Sequence, residues 1–337
     1  GIGERAVARG RMEAEEAEAI VARISPALDD EALAGVDIAI EAVPEVLDLK
    51  RDVFRRLDRV LKPEALLASN TSGLSITALA RETGRPDRVL GLHFFNPASV
   101  MRLVEAIRGE DTSDATIGAG EDFARSLGKT PVRVVECPGF LVNRLLTRGM
   151  LAAYRMAEAL GADPAAVDVV VEESGPAPMG PFALGDLVGL DTLDHIQRDL
   201  AAAYGPRFAP SRRLSELVAK GRLGRKSGGG FFDGARPEAE PDDAARAVAE
   251  RYYLAALHEA CLCLEEEVAA LPDIDLAMRL GARWSEGPLQ WADGLGTTEA
   301  AARMAAPPPS GGEPLDVPGA LAERAAAGRP FHEDAAA

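Results

Sequence analysis

Positive charge is what this chain has least of relative to its counterpart: 37 Lys and Arg face 54 Asp and Glu over 337 residues, giving a formal net charge of -17 and a pI near 4.8. Neutralising a nucleic-acid backbone takes clustered Lys and Arg, so no nucleic-acid partner is expected, whereas a small anionic ligand held at one local basic site remains open. Cysteine is scarce as well. Cys137, Cys261 and Cys263 form an odd, sparse set, and the Cys-x-Cys pair lies in an apolar helical stretch. They read as free thiols in a reducing compartment, not as a disulfide framework or a metal site. No apolar run approaches the roughly 20 residues of a membrane span, and the first residues lack the charged-then-apolar pattern of a signal segment. A soluble, cytoplasmic protein with no membrane contact is therefore expected. What is present in quantity is apolar: 47% of the residues are hydrophobic, enough for a sizeable core in two or three domains.

Residues 1–24 read as two helical pieces broken near Gly10, with Ala17, Ile20, Val21 and Ile24 as an apolar stripe at helical spacing. Short apolar or β-branched runs then alternate with helical stretches: Val36 to Ala42, Leu47 to Leu61, Ala65 to Ser69, Ser75 to Thr83, Val89 to Phe94, Thr112 to Leu127 and Val132 to Val135. Such alternation predicts a parallel sheet with helices packed on its faces. After Pro138 the strand signals nearly vanish. The remainder reads as helix, interrupted at Gly228 to Asp243 by three consecutive glycines and an acidic, proline-bearing linker.

The two sides of that linker repeat each other without gaps. At one fixed offset Glu158, Asp168, Gly180, Pro181, Asp186 and Gly189 fall on Glu265, Asp275, Gly287, Pro288, Asp293 and Gly296. The expected organisation is therefore an α/β domain over 1–136 and two related all-helical domains over 137–235 and 236–337.

In an open parallel sheet, ligands bind beyond the carboxyl ends of the strands. The strand candidates here are followed by Glu41-Ala-Val-Pro-Glu45, Ser69-Asn-Thr-Ser72 and His93-Phe-Phe-Asn96, so one crevice should gather Glu45, Ser72, His93 and Asn96. Glu105 follows on Arg102-Leu-Val-Glu-Ala106, within reach of His93 in a hairpin-like return. A carboxylate on one imidazole nitrogen fixes the tautomer and leaves the other nitrogen to take a proton, which suits abstraction from an alcohol. Neither residue belongs to a metal-ligand spacing, and no metal is expected. Taken singly, each residue also has a plainer reading: Ser72 as a helix cap, Asn143 as a solvent-facing helix residue, Glu45 and Lys50 as ordinary first-turn and surface residues.

The stretches Glu41-Ala-Val-Pro-Glu-Val-Leu-Asp-Leu-Lys50, Ala68-Ser-Asn-Thr-Ser-Gly73, Leu90-Gly-Leu-His-Phe-Phe-Asn-Pro97, Pro138-Gly-Phe-Leu-Val-Asn-Arg144, Met179-Gly-Pro-Phe182 and Leu223-Gly-Arg-Lys-Ser-Gly-Gly-Gly-Phe231 resemble, in order and spacing, the motifs of the 3-hydroxyacyl-CoA dehydrogenase family. The second helical unit is similar to the duplicated C-terminal domain of its longer members. The resemblance implies an incomplete Rossmann-type, doubly wound parallel sheet followed by the two helical units, and oxidation of an L-3-hydroxyacyl-CoA with NAD as cofactor. It implies His93 as general base, Glu105 as the residue that orients it, Ser72 and Asn143 on the substrate oxygen, and Glu45, Lys50 and Asn96, with Ser72, near the cofactor. It implies an acyl-CoA substrate and either a homodimer through the helical region or a single chain in which the internal duplication takes the place of a partner subunit. A hydroxy-acid dehydrogenase that does not use CoA and a non-catalytic acyl-CoA-binding or oligomerisation module are the alternatives.

The strand, Gly-rich turn, helix and second strand that normally open a dinucleotide-binding domain do not precede Val36 in these residues. Gly1-Ile-Gly3 with Ala6 fits G-x-G-x-x-A only superficially, because no strand stands ahead of it. By resemblance residues 1–24 belong to a helical arm that contacts CoA. Gly224-Arg-Lys-Ser227 resembles the end of a phosphate-binding loop but follows a helix, so Arg222, Arg225 and Lys226 are expected in a solvated turn. Trp284 and Trp291 are expected in the core or an interface. At the repeat offset Asn143 corresponds to Glu250, so the second unit is expected to hold no active site.

Overall fold

The computed structural model describes residues 7–10, 12–309 and 315–332; Gly1 to Ala6, where the superficial G-x-G-x-x-A match falls, lie outside them. Five strands form one sheet in the order β1 (Ile38–Glu41), β2 (Leu66–Ser69), β3 (Val89–Phe94), β4 (Leu103–Arg108), β5 (Thr130–Val135). Strands β1, β2 and β3 run parallel, joined by helices α2 (Leu47–Val60) and α3 (Ile76–Ala80); helix α1 (Ala14–Val21) precedes them. The sheet is parallel-dominant, as the alternation implies, with one antiparallel neighbour at the hairpin-like return expected between His93 and Glu105. β4 is antiparallel to β3 because the short connection between them holds no helix to carry the chain back across the sheet. After β4, helix α4 (Asp114–Ser126) crosses over and β5 rejoins parallel to β4.

Alternate strand residues face opposite layers. Leu67, Val89, Leu103 and Ile107 join α2, α3 and the helical units in one large core, while Ala68, Leu90, Leu92, Val104 and Ala106 pack on Ile117 and Ala124 of α4. Ser75 caps α3 by accepting the Ala78 amide, and Ser113 caps α4 by accepting that of Thr116. Among the described residues β1 is an edge strand, with Ile40 37% exposed. The stripe expected on the opening helix is not covered: α1 has no buried residue, and Val21 and Ile24 are largely exposed.

The first helical unit contains α5 (Val142–Leu160), α6 (Pro164–Ser174), α7 (Pro181–Val188), α8 (Leu190–Tyr204) and α9 (Arg212–Ala219). The second contains α10 (Asp243–Glu265), α11 (Leu271–Gly281), α12 (Pro288–Leu295), α13 (Thr297–Ala305) and α14 (Gly319–Ala327). The repeated residues perform the same task in each. The Asp168 carboxylate accepts the Phe182 and Ala183 amides at the start of α7, and Asp275 accepts those of Leu289 and Gln290 at the start of α12. Gly180 and Gly287 are required because a Cβ at either would stand 2.2 Å from the facing carboxylate. Asp186 then accepts the Phe231 and Phe232 amides, as Asp293 accepts those of Phe331 and His332. Gly230 therefore serves packing: a Cβ there would lie 1.9 Å from Asp186 Oδ1. Lys226 pairs with Asp191, and Arg222 with Asp233 and the Gly230 carbonyl, so the segment is a structural turn. Trp284 is buried among Tyr252 and Tyr253, and Trp291 packs on Tyr253.

Two predictions follow from the repeated aspartates. Gly180→Ala should destabilise the protein by about 1–3 kcal/mol through overpacking, while Gly118→Ala, in α4 with nothing within 4 Å of its Cβ, should stabilise it by roughly 0.5–1 kcal/mol; equal urea midpoints for the two would refute this packing. Burial pushes Asp168 up to about 7 and Asp275 up to about 6, outweighing the amide bonds that act the other way. Both values lie above those of an unfolded Asp, so the protonated carboxyls favour folding: that contribution is complete below about pH 4 and is lost as pH rises through 6 and 7. Asp168→Asn should flatten the fall in unfolding free energy across this window, as read from urea titrations at successive pH values; an undiminished slope contradicts the assignment.

Candidate active site

His93 lies near the end of β3 and Glu105 near the start of β4, and the antiparallel register makes them direct partners. His93 Nδ1 is 2.6 Å from Glu105 Oε2, with His93 7% exposed and Glu105 fully buried. The other oxygen, Glu105 Oε1, accepts the Val142 amide at 2.9 Å and the Leu141 amide at 3.3 Å, at the N-terminus of α5. A helix N-terminus favours a negative charge, and a carboxylate taking two amides acts as an acceptor. Nδ1 is therefore the donating nitrogen, and in the neutral ring Nε2 is the one that carries the lone pair. Phe95 packs on the imidazole at 4.5 Å between ring centroids and Phe140 at 6.0 Å. Phe140 holds a left-handed backbone, φ 49°, unusual for a bulky residue. That strain is maintained where the chain must turn from β5 into α5 and aim two amides at Glu105.

Ser72 and Asn143, far apart in sequence, meet here: Asn143 Nδ2 donates to the Ser72 carbonyl at 3.1 Å. Ser72 is not the helix cap, a task that Ser75 performs. Its amide and hydroxyl donate to Glu45 Oε1 at 2.9 and 3.3 Å, and the Thr71 hydroxyl donates to the same oxygen at 2.5 Å. Burial acts to raise the Glu45 carboxyl, but Thr71, the Ser72 amide and Lys50 outweigh it and hold the group below its ordinary value.

Lys50 was expected beside the cofactor, yet its side chain is 1% exposed. Its ammonium reaches Glu41 at 2.7 Å, Glu45 Oε2 at 3.2 Å and the Val43 carbonyl at 3.2 Å, which engages all three donors inside the protein. Glu41, buried at the end of β1, also accepts the Ser69 hydroxyl at 2.6 Å and the Val43 amide at 2.6 Å. Reading the loops alone missed Glu41; a carboxylate closing a strand, with a lysine one turn into the next helix, is the pattern that marks it. Phe95, Phe140 and Thr71 were missed as well. Asn96 is exposed and hydrogen-bonds to nothing among the described residues.

The face beyond β1, β2 and β3 thus presents an exposed carboxylate, Glu45, and an exposed amide, Asn96. This donor and acceptor set fits the ribose hydroxyls and carboxamide of a nicotinamide nucleoside. Among the described residues no group of three or more His, Cys, Asp or Glu could hold a metal. A cavity of about 690 Å³ lies at the turn into α5, lined in part by Gly73, Ser75, Thr77, Cys137 and Phe140.

The chain also matches known families. Residues 2–137 match the model described as 3-hydroxyacyl-CoA dehydrogenase, NAD binding domain, and residues 139–234 and 248–328 match 3-hydroxyacyl-CoA dehydrogenase, C-terminal domain. The chain is 37% identical over 317 residues to a fatty acid oxidation complex subunit alpha of Idiomarina loihiensis, covering 87% of this chain and 44% of that protein. It is 42% identical over 229 residues to the 3-hydroxyadipyl-CoA dehydrogenase of Escherichia coli, covering 67% and 48%. It therefore spans less than half the length of these two relatives. A solved 3-hydroxybutyryl-CoA dehydrogenase from Escherichia coli superposes with a TM-score of 0.83 at 31% identity, covering 89% of this chain and 83% of that one.

The buried pair gives a stability prediction. Lys50→Met leaves the Glu41 carboxylate buried without its cation and should cost about 3–5 kcal/mol in chemical denaturation; a variant as stable as the parent would show that this pair is not the buried anchor described.

Proposed function

Because the chain belongs to the 3-hydroxyacyl-CoA dehydrogenase family, we propose that it interconverts an L-3-hydroxyacyl-CoA and the 3-ketoacyl-CoA with NAD as cofactor. The observation that carries this reading is the buried His93–Glu105 pair, 2.6 Å apart, whose carboxylate also takes the Val142 amide next to Asn143, the residue that donates to the Ser72 carbonyl. When bound, the nicotinamide supplies the hydride acceptor for carbon 3. The chain's own residues manage the proton and the geometry. His93 Nε2 removes the hydroxyl proton as general base, and Glu105 holds the ring and offsets the charge it gains. Asn143 and Ser72 hold the substrate oxygen at Nε2. Glu45 and Asn96 face the ribose and carboxamide of the cofactor, and Lys50 contributes by fixing Glu45.

The domain divisions that suit this reading fall at 1–136, 137–235 and 236–337. No helix among the described residues is long and apolar enough to cross a membrane. Three free cysteines suit a cytoplasmic setting.

The test follows NADH absorbance with acetoacetyl-CoA, using the chain alone and joined behind a Gly-rich strand, turn and helix from a family member. Turnover is expected in the joined protein, with a loss of ~10²-fold or more in His93→Ala. Free acetoacetate in place of the thioester should be a poor substrate. Silence of the joined protein, or full activity of His93→Ala, would overturn the assignment.

A further inference from the structure

The second helical unit places Glu250, paired with Arg303, where its repeat partner has Asn143. It nevertheless reaches the scaffold of the site at three points. The first is Arg144, the residue after Asn143, which is wholly buried in the first turns of α5. Its Nε donates to Glu259 Oε1 at 2.7 Å, and its two terminal nitrogens donate to the two oxygens of Glu266 at 2.7 and 3.0 Å. Glu259 lies in α10 and Glu266 at its end. The same guanidinium stacks 4.2 Å from the Tyr204 ring, whose hydroxyl donates to the Pro138 carbonyl in the turn leading to α5. The second point is a backbone bond from the Val135 amide, at the end of β5, to the Val268 carbonyl. The third is Gly281, closing α11. A Cβ there would stand 2.7 Å from Leu103, 3.1 Å from Val142 and 3.3 Å from Phe95, the ring that packs on His93.

A planar guanidinium held by three carboxylate oxygens and one aromatic face is fixed in orientation as well as position. Apolar side chains would join α5 and α10 at no greater cost in stability, since burying ionic groups is expensive. What the ionic arrangement adds is direction. It sits one residue from the amide that meets Ser72.

We propose that Glu259 and Glu266 of the second helical unit are positioning residues for the reaction, holding Arg144 so that the first turn of α5 aims Asn143 at the substrate oxygen. This rests on the reading of Asn143 given under Proposed function. The unit that lacks a site of its own thereby completes the site of the first. Glu266 is the residue to change, because its side chain is 42% exposed and its loss leaves Glu259 to hold the fold.

Calorimetric titration of the chain with acetoacetyl-CoA and with free CoA, which lacks the 3-oxygen, provides the readout, in Glu266→Ala, Asn143→Ala and the double variant. Glu266→Ala should weaken acetoacetyl-CoA binding roughly five- to tenfold, the loss of about one hydrogen bond, and leave free CoA unchanged. Glu266→Gln, which keeps an acceptor, should recover part of it. In the Asn143→Ala background the Glu266 effect should largely disappear. If Glu266→Ala lowers the melting temperature but binds both ligands like the parent, or if its effect is undiminished in the Asn143→Ala background, the positioning role is overturned while Asn143 keeps its own. If Asn143→Ala alone leaves acetoacetyl-CoA binding unchanged, the reading of Asn143 fails, and the proposal built on it fails with it.

Discussion

One carboxylate ties the sheet, the helical region and the proposed base together. Glu105 gives one oxygen to His93 across a strand pair and the other to two amides at the start of α5. The antiparallel register of β3 and β4 sets residue 105 opposite residue 93 and so makes the pairing possible. The same carboxylate explains why Phe140 keeps a left-handed backbone, since the turn must deliver the Leu141 and Val142 amides to a fixed point in the sheet. Losing this carboxylate would leave two buried amides and an imidazole N–H without partners, a cost in stability as well as in basicity.

Around that centre the molecule repeats a second device, a buried carboxylate closing the start of a helix. Asp168 and Asp275 do so at α7 and α12, and Asp186 and Asp293 gather the chain that returns over them. These contacts are costly when ionised, as the raised Asp168 and Asp275 show, but each satisfies two amides that would otherwise be buried alone. The duplication therefore preserved a scaffold. What diverged is the face near the chemistry, where Asn143 of the first unit has Glu250 as its counterpart.

Much of this was legible in the residues because it is local. The crevice follows from which loops leave the strand ends, and the pairing of His93 with Glu105 follows from a short return between two apolar runs. The repeat was visible because Gly-Pro and Asp keep their spacing wherever a helix start must approach a carboxylate. Other parts depend on distant partners. Arg144 meets Glu259 and Glu266 from another unit of the chain, and no periodicity announces such an ion pair. Lys50 reads as a surface residue of an amphipathic helix until Glu41 is known to end the neighbouring strand facing it.

The central claim is that Glu105 holds the Nδ1 proton of His93 and leaves the Nε2 lone pair facing the substrate. Nitrogen-15 NMR of the histidine rings, with His93→Gln to assign the signal, reads this tautomer directly. At a pH where the ring is neutral, the account predicts a His93 resonance pattern with a protonated Nδ1 and an unprotonated Nε2, lost in favour of mixed tautomers in Glu105→Ala. A neutral His93 protonated at Nε2 in the parent protein would contradict it.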